Sequence, residues 1–187
     1  EQGEDEAKNK DLSVIREKLN HLEQIAGRIL DFGKSREAFR KTFSLREIVK
    51  DAALLVRLKL EQCQVSLHIN ELPHDLFVFV DKGQIQQALL NLMLNALVAM
   101  PNGGELEIEA SKTEGGKAQI LVKDTGSGIL EELQDKIFDS FLTGTTEGTG
   151  LGLSISKRIL RAHDGNLDLL ESGPQGTVFK ITLPLTN

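Results

Sequence analysis

GQIQQALLNLMLNALVAMPNGGELEIEASKTEGGKAQILVKDTG, residues 83–126, is the stretch on which the architecture turns. Residues 83–100 predict a long helix, and Pro101-Asn102-Gly103-Gly104 stops it with strong turn chemistry. Residues 105–112 and 117–123 then alternate apolar and polar side chains, and Glu114-Gly115-Gly116 joins them, so two antiparallel strands follow. Helices mixed with antiparallel hairpins point to a two-layer α+β sandwich, not to a parallel, doubly wound sheet.

The flanks agree. Upstream, Ser44 is placed to cap a helix running to about Cys63, with Glu47 three residues later completing a capping box, and residues 64–69 and 77–80 read as strands. Downstream, residues 124–150 are rich in glycine and threonine, a helix spans 151–163, and residues 166–171 and 177–183 read as closing strands. Within residues 11–40, Leu12, Ile15, Leu19, Leu22, Ala26 and Ile29 recur at steps of three and four, a seam for another helix. The seam is too short for a free-standing coiled coil. It belongs in a helix bundle completed by a second chain, or else packs on its own domain. The expected fold is α+β, a two-layer sandwich preceded by a long N-terminal helix.

At 187 residues, with 40% hydrophobic and 27% charged, the chain has the make-up of a soluble globular protein. That length holds one domain of about 100 to 150 residues and an extra element. A formal net charge of -6 argues against the broad basic surface that nucleic acid requires. The single Cys63 permits no intrachain disulfide and has no zinc-ligand spacing, which suits a reducing, cytoplasmic setting. No run reaches the roughly 18 apolar residues of a membrane helix, and EQGEDEAKNK is not a signal peptide, so no membrane contact is expected.

Three constellations carry chemistry. On the helix of residues 83–100, Gln84, Gln87, Asn91 and Asn95 share one face, and nearly everything else from Ala88 onward is apolar. Such a helix is buried, and each buried amide left unpaired costs about 1 to 3 kcal/mol. Water or neighbouring backbone would satisfy these amides. So would a ligand, because Asn91 and Asn95, a turn apart, present carbonyl oxygens together, as a hydrated Mg²⁺ carrying nucleotide phosphates requires.

The second constellation, Asp124-Thr125-Gly126-Ser127-Gly128, follows the apolar residues 120–122. A carboxylate at the end of a buried strand must find donors, an adenine amino group being one, and its glycines let a ligand come close. The rival readings are a plain Asp-Gly turn and the Asp-Thr-Gly of aspartic proteases. The latter need two facing carboxylates, and Lys123 stands where they usually have an apolar residue.

The third, Gly148-Thr149-Gly150-Leu151-Gly152-Leu153-Ser154, opens a helix whose unpaired N–H groups suit phosphate oxygens. No strand immediately precedes it, as a dinucleotide-binding fold would require, and no Gly-Lys-Ser or Gly-Lys-Thr follows in P-loop register. Gly33-Lys34-Ser35 has the letters without the preceding glycine.

Taken in order, residues 91–95, 124–128, 138–141 and 148–152 resemble the N, first G, F and second G boxes of histidine kinases. The resemblance implies a Bergerat-type ATP-binding fold, a mixed, mostly antiparallel sheet covered by helices on one face, shared with gyrase-type ATPases, Hsp90 and mismatch-repair ATPases. It divides the chain into the second helix of a dimerisation and phosphotransfer segment at residues 1–43 and an ATP-binding catalytic domain at residues 44–187. The implied cofactors are ATP and Mg²⁺. Asp124 would bind the adenine amino group, with Gly126, Gly128 and Ile129 shaping the base pocket. Asn95 and Asn91 would hold Mg²⁺ as the catalytic amides. Gly148, Thr149, Gly150, Leu151 and Gly152 would contact the phosphates from a lid whose early part Phe138 and Phe141 anchor. The implied chemistry moves the γ-phosphoryl group of ATP to a histidine and then to an aspartate of a response-regulator receiver domain, in a protein that dimerises through its N-terminal helical segment. The ATPases of the superfamily place Glu at the position of Asn91 to activate water, and an amide cannot act as that base.

Two departures qualify the resemblance. None of His21, His68, His74 and His163 is followed by the acidic residue and Pro of a phosphoacceptor, so the accepting helix is expected to be missing. Many kinases with a similar lid carry Lys or Arg where this chain has Leu142-Thr143-Gly144-Thr145-Thr146-Glu147, and Val98 stands where many keep a Lys. Two alternatives stay open: a catalytically weak nucleotide-binding signalling module, and an ATPase or serine kinase of the same fold.

Overall fold

The computed structural model describes residues 38–70, 72–142 and 150–186. The seam at Leu12 to Ile29, Gly33-Lys34-Ser35 and His21 lie outside the described residues, as do Gly148 and Thr149. In chain order the elements are β1 (Lys41–Ser44), α1 (Leu45–Gln62), β2 (Val65–Ile69), β3 (Phe77–Val80), α2 (Lys82–Ala99), β4 (Gly104–Lys112), β5 (Lys117–Asp124), α3 (Glu131–Gln134), α4 (Gly152–Ala162), β6 (Asn166–Gly173) and β7 (Gly176–Pro184).

Five strands form one sheet in the order β2-β4-β5-β7-β6, with β2 parallel to β4 and every other pair antiparallel. The hairpin expected from residues 105–123 runs in register from Leu106 opposite Asp124 to Lys112 opposite Ala118. Alternation decides which face is covered. Leu106, Ile108, Ala110, Ala118, Ile120, Val122, Phe179, Ile181 and Leu183 are buried and share one core with the apolar faces of α1, α2 and α4. The intervening Glu107 and Glu109 meet Lys123 on the other face at 3.4 and 2.7 Å. Helix α2 touches both α1 and α4. The expected sandwich of a mixed sheet and a helix layer is therefore present.

Two expectations need correction. Residues 41–43, assigned with the N-terminal helical segment, join Ser44 in strand β1, which pairs antiparallel with β3, Lys41 opposite Val80 and Ser44 opposite Phe77. That pairing joins residues far apart in the chain, so no local period announces it. Ser44 does stand at the N-cap of α1, but its side chain makes no capping bond. Glu47 is drawn instead to the Lys82 ammonium at 2.6 Å, beside Asp51 at 2.8 Å, since a charge-assisted contact outweighs a neutral cap.

Side chains close the helix ends. Asp81 caps α2 by accepting the Gln84 N–H at 3.1 Å and takes the Phe39 N–H at 3.0 Å. His163, just past α4 and buried, accepts the Asp81 N–H at Nε2, which leaves Nδ1–H to donate to Ile159 O at 2.8 Å. Arg40 pairs with Asp164 at 2.9 Å and donates to Ala162 O, satisfying the last carbonyl of α4. Among the described residues no helix is long and apolar enough to cross a membrane.

Candidate functional site

Strand β5 brings Asp124 to the site. The inward series Ala118, Ile120, Val122 continues to Asp124, so the carboxylate points under the helix layer. Burial raises its pKa above the ordinary aspartate range, while the N–H groups of Gly126 and of Thr177 on β7 pull it down without cancelling that rise. The Gly126 N–H donates to Asp124 Oδ1 at 2.9 Å.

The glycines after Asp124 are demanded by contact. A Cβ on Gly126 would lie 2.6 Å from Ala99 Cβ, and one on Gly128, whose φ is +74°, would lie 2.1 Å from Gly173 O. The loop is thus wedged between the end of α2 and the β6–β7 turn. Ser127 N–H donates to Ala99 O at 3.1 Å. Ile129 N–H donates to Ser172 Oγ at 2.8 Å, Ser172 Oγ lies 3.1 Å from Thr177 Oγ1, and Gln134 Nε2 donates to Ile129 O at 3.0 Å.

On α2, Gln84, Gln87, Asn91 and Asn95 are half-buried rather than buried, which corrects the expectation of a fully enclosed stripe. Asn91 and Asn95 look across to α4. Asn91 Nδ2 donates to Gly152 O and to Ser156 Oγ, both at 3.1 Å. A carbonyl oxygen can only accept, so the amide nitrogen faces α4 and Oδ1 is the atom left over. The Ser156 hydroxyl, fully buried, donates in turn to Gly152 O at 2.8 Å. The Asn95 side chain has no hydrogen-bond partner among the described residues. A Cβ on Gly152 would stand 3.9 Å from Asn91 Cγ and 4.0 Å from Asn95 Oδ1, so this glycine abuts both amides.

Helix α4 starts without a side-chain cap, and its first backward bond is from Ile155 N–H to Leu151 O. The N–H groups of residues 152–154 therefore have no acceptor within the helix. Leu151 is buried and pins this end. Just before it, Gly150 adopts φ +65° and accepts the Phe141 N–H at 3.0 Å.

The two phenylalanines expected to anchor the lid part company. Phe138 packs against the core, with the Lys157 ammonium 3.8 Å from its ring centroid. Phe141 is 68% exposed with φ +71°, so it anchors nothing by burial.

Gly150 and Gly152 thus frame the start of α4 beside the amides, while Asp124, Gly126, Gly128 and Ile129 form one loop stitched to the end of α2. Among the described residues no group of three His, Cys, Asp or Glu could hold a metal ion. A cation here would be held by amide oxygens and by the ligand's own oxygens. Sequence reasoning passed over Ser156, Thr177, Ser172 and Gln134. Ser156 left one signal, a hydroxyl one turn after Gly152 in an otherwise apolar stripe of α4.

Residues 80–187 match the family model described as histidine kinase-, DNA gyrase B-, and HSP90-like ATPase. The chain is 32% identical over 175 residues to the signal transduction histidine-protein kinase AtoS of Escherichia coli (strain K12), covering 93% of this chain and 29% of AtoS. Among solved structures, the catalytic domain of histidine kinase ThkA in a nucleotide-free form has 33% identity and a TM-score of 0.70, over 79% of this chain and 96% of that one. ThkA in complex with the response regulator protein TrrA has 30% identity and a TM-score of 0.77, over 92% of this chain and 50% of that one. With this fold, these motifs in this order and a family match over more than half its length, the chain belongs to the histidine kinase-, DNA gyrase B- and HSP90-like ATPases and carries the ATP-binding catalytic domain of a sensor histidine kinase.

Proposed function

We propose that this domain binds ATP with Mg²⁺ and transfers the γ-phosphoryl group to a histidine, which hands it on to an aspartate of a response-regulator receiver domain. The parent protein works as a homodimer through its N-terminal helical segment. One observation carries the reading. Asn91 stands where a hydrolase of this superfamily sets a glutamate, and its amide, committed through Nδ2 to Gly152 and Ser156, cannot take a proton from water.

The other residues fit the same chemistry. Asp124 accepts the adenine amino group, held in place by the N–H groups of Gly126 and Thr177. The amide oxygens of Asn91 and Asn95, two half-buried residues, suit Mg²⁺, which when bound neutralises phosphate charge. The open N–H groups of α4 receive phosphate oxygens. The transferring group is close to metaphosphate, so the protein's task is to position reactants and balance charge. His163 is no acceptor, because it is buried with both ring nitrogens engaged. That ThkA is solved with a response regulator supports the partner class.

Mixing the chain with a kinase that cannot bind ATP but keeps its acceptor histidine tests this. With γ-labelled ATP and Mg²⁺, acid-labile label on that histidine is expected. Phosphate release without labelled protein would make the chain an ATPase, and acid-stable label on serine would make it a serine kinase. Binding with no turnover would make the chain a catalytically weak nucleotide-binding signalling module, the alternative suggested by residues 142–149, which contain no Lys or Arg.

A further inference from the structure

We propose that Lys157 supplies the cation that meets the terminal phosphate of the bound nucleotide, an inference that rests on the ATP-site reading above. Residues 142–149 contain no Lys or Arg, so a cation for the outermost phosphate would come from another element. Lys157 lies on α4, just over one turn beyond the Gly152 that abuts Asn91 and Asn95. Helical side chains slant toward the helix N-terminus, and a lysine stem is about as long as one turn. The ammonium therefore falls back toward the level where α4 begins, on the face turned to Phe138 rather than the one Gly152 presents to Asn91 and Asn95.

Its contacts agree with that placement. Lys157 Nζ stands 3.8 Å from the centroid of Phe138, and the chain just after Phe138 is tied to the start of α4 by the bond from Phe141 N–H to Gly150 O, 3.0 Å. Lys82, Lys123 and Lys180 are matched with carboxylates. Among the described residues the Lys157 ammonium rests on the Phe138 ring and has no carboxylate partner. An aromatic face holds an ammonium weakly, whereas a phosphate oxygen offers a charge-assisted hydrogen bond. Phe138 is a resting place that keeps the charge beside the site until a triphosphate draws it away. The structure thus assigns to α4 the work that many lids give to their own Lys or Arg, and it makes Lys157 a determinant of ATP over ADP.

Calorimetry on the 187-residue chain with Mg²⁺, using ADP and a non-hydrolysable ATP analogue, tests this. Lys157→Met keeps the stem and removes the charge. It is expected to weaken the ATP analogue about tenfold or more and ADP by less than about twofold, the loss of one charged hydrogen bond. Lys157→Arg is expected to restore most of the difference. Equal losses for both nucleotides, or no loss for either, would overturn the proposal, and a circular-dichroism melt establishes that the Met variant is folded. Failure of the ATP-site reading looks different: the unsubstituted chain would bind neither nucleotide.

Discussion

In the proposed ATP site, Asp124 would serve folding and binding in opposite directions. Its carboxyl is raised by burial, and a carboxyl whose folded pKa lies above its unfolded value weakens the folded state at neutral pH. That penalty fades as pH falls through the folded pKa. Asp124→Asn is therefore expected to melt no lower than the parent at pH 7 without nucleotide, and calorimetry should find most ATP binding gone. Undiminished affinity would remove Asp124 from the adenine pocket. The charged form best accepts an amino group, so the parent's ATP affinity falls on acidification, starting at a higher pH than an ordinary aspartate would give. Asp124 was legible because an apolar strand ran straight into an acid and glycines. The Asn91 partner was not, because Ser156 lies 65 residues away in the chain.

At the scale of elements, the helices were readable from their own letters but their fastenings were not. The Ser44 and Glu47 letters predict a capping box, yet Glu47 spans to Lys82 and ties α1 to α2. His163 likewise joins α4 to the residue that caps α2. His163→Leu leaves the Asp81 N–H and Ile159 O without these partners, so urea unfolding should show a loss of about 1 to 3 kcal/mol. Nucleotide affinity of the folded variant should stay near that of the parent, because His163 follows the end of α4 opposite Gly152. Unchanged stability would mean that water replaces the imidazole.

For the molecule as a whole, β1 decides where the folding unit starts. Residues 38–186 make one compact unit, and a boundary at 43/44 cuts through β1. A chain of residues 38–187 is expected to melt higher than one of residues 45–187, which loses β1, the Phe39 bond to Asp81 and the Arg40 contacts with Ala162 and Asp164. Equal melting temperatures by calorimetry would show that β1 adds nothing to the fold.

The sequence by itself determined the order of the helices and strands other than β1 and the short α3, the β4–β5 hairpin, the turn after α2 and the four motifs, because periodicity and turn chemistry belong to contiguous residues. Tertiary structure decided the parallel pairing of β2 with β4, the second sheet of β1 and β3, the half-burial of the amide stripe, the separation of Phe138 from Phe141 and the setting of Lys157. Each of these depends on which surfaces meet after the chain has turned back on itself, and contacts between distant residues leave no period along it.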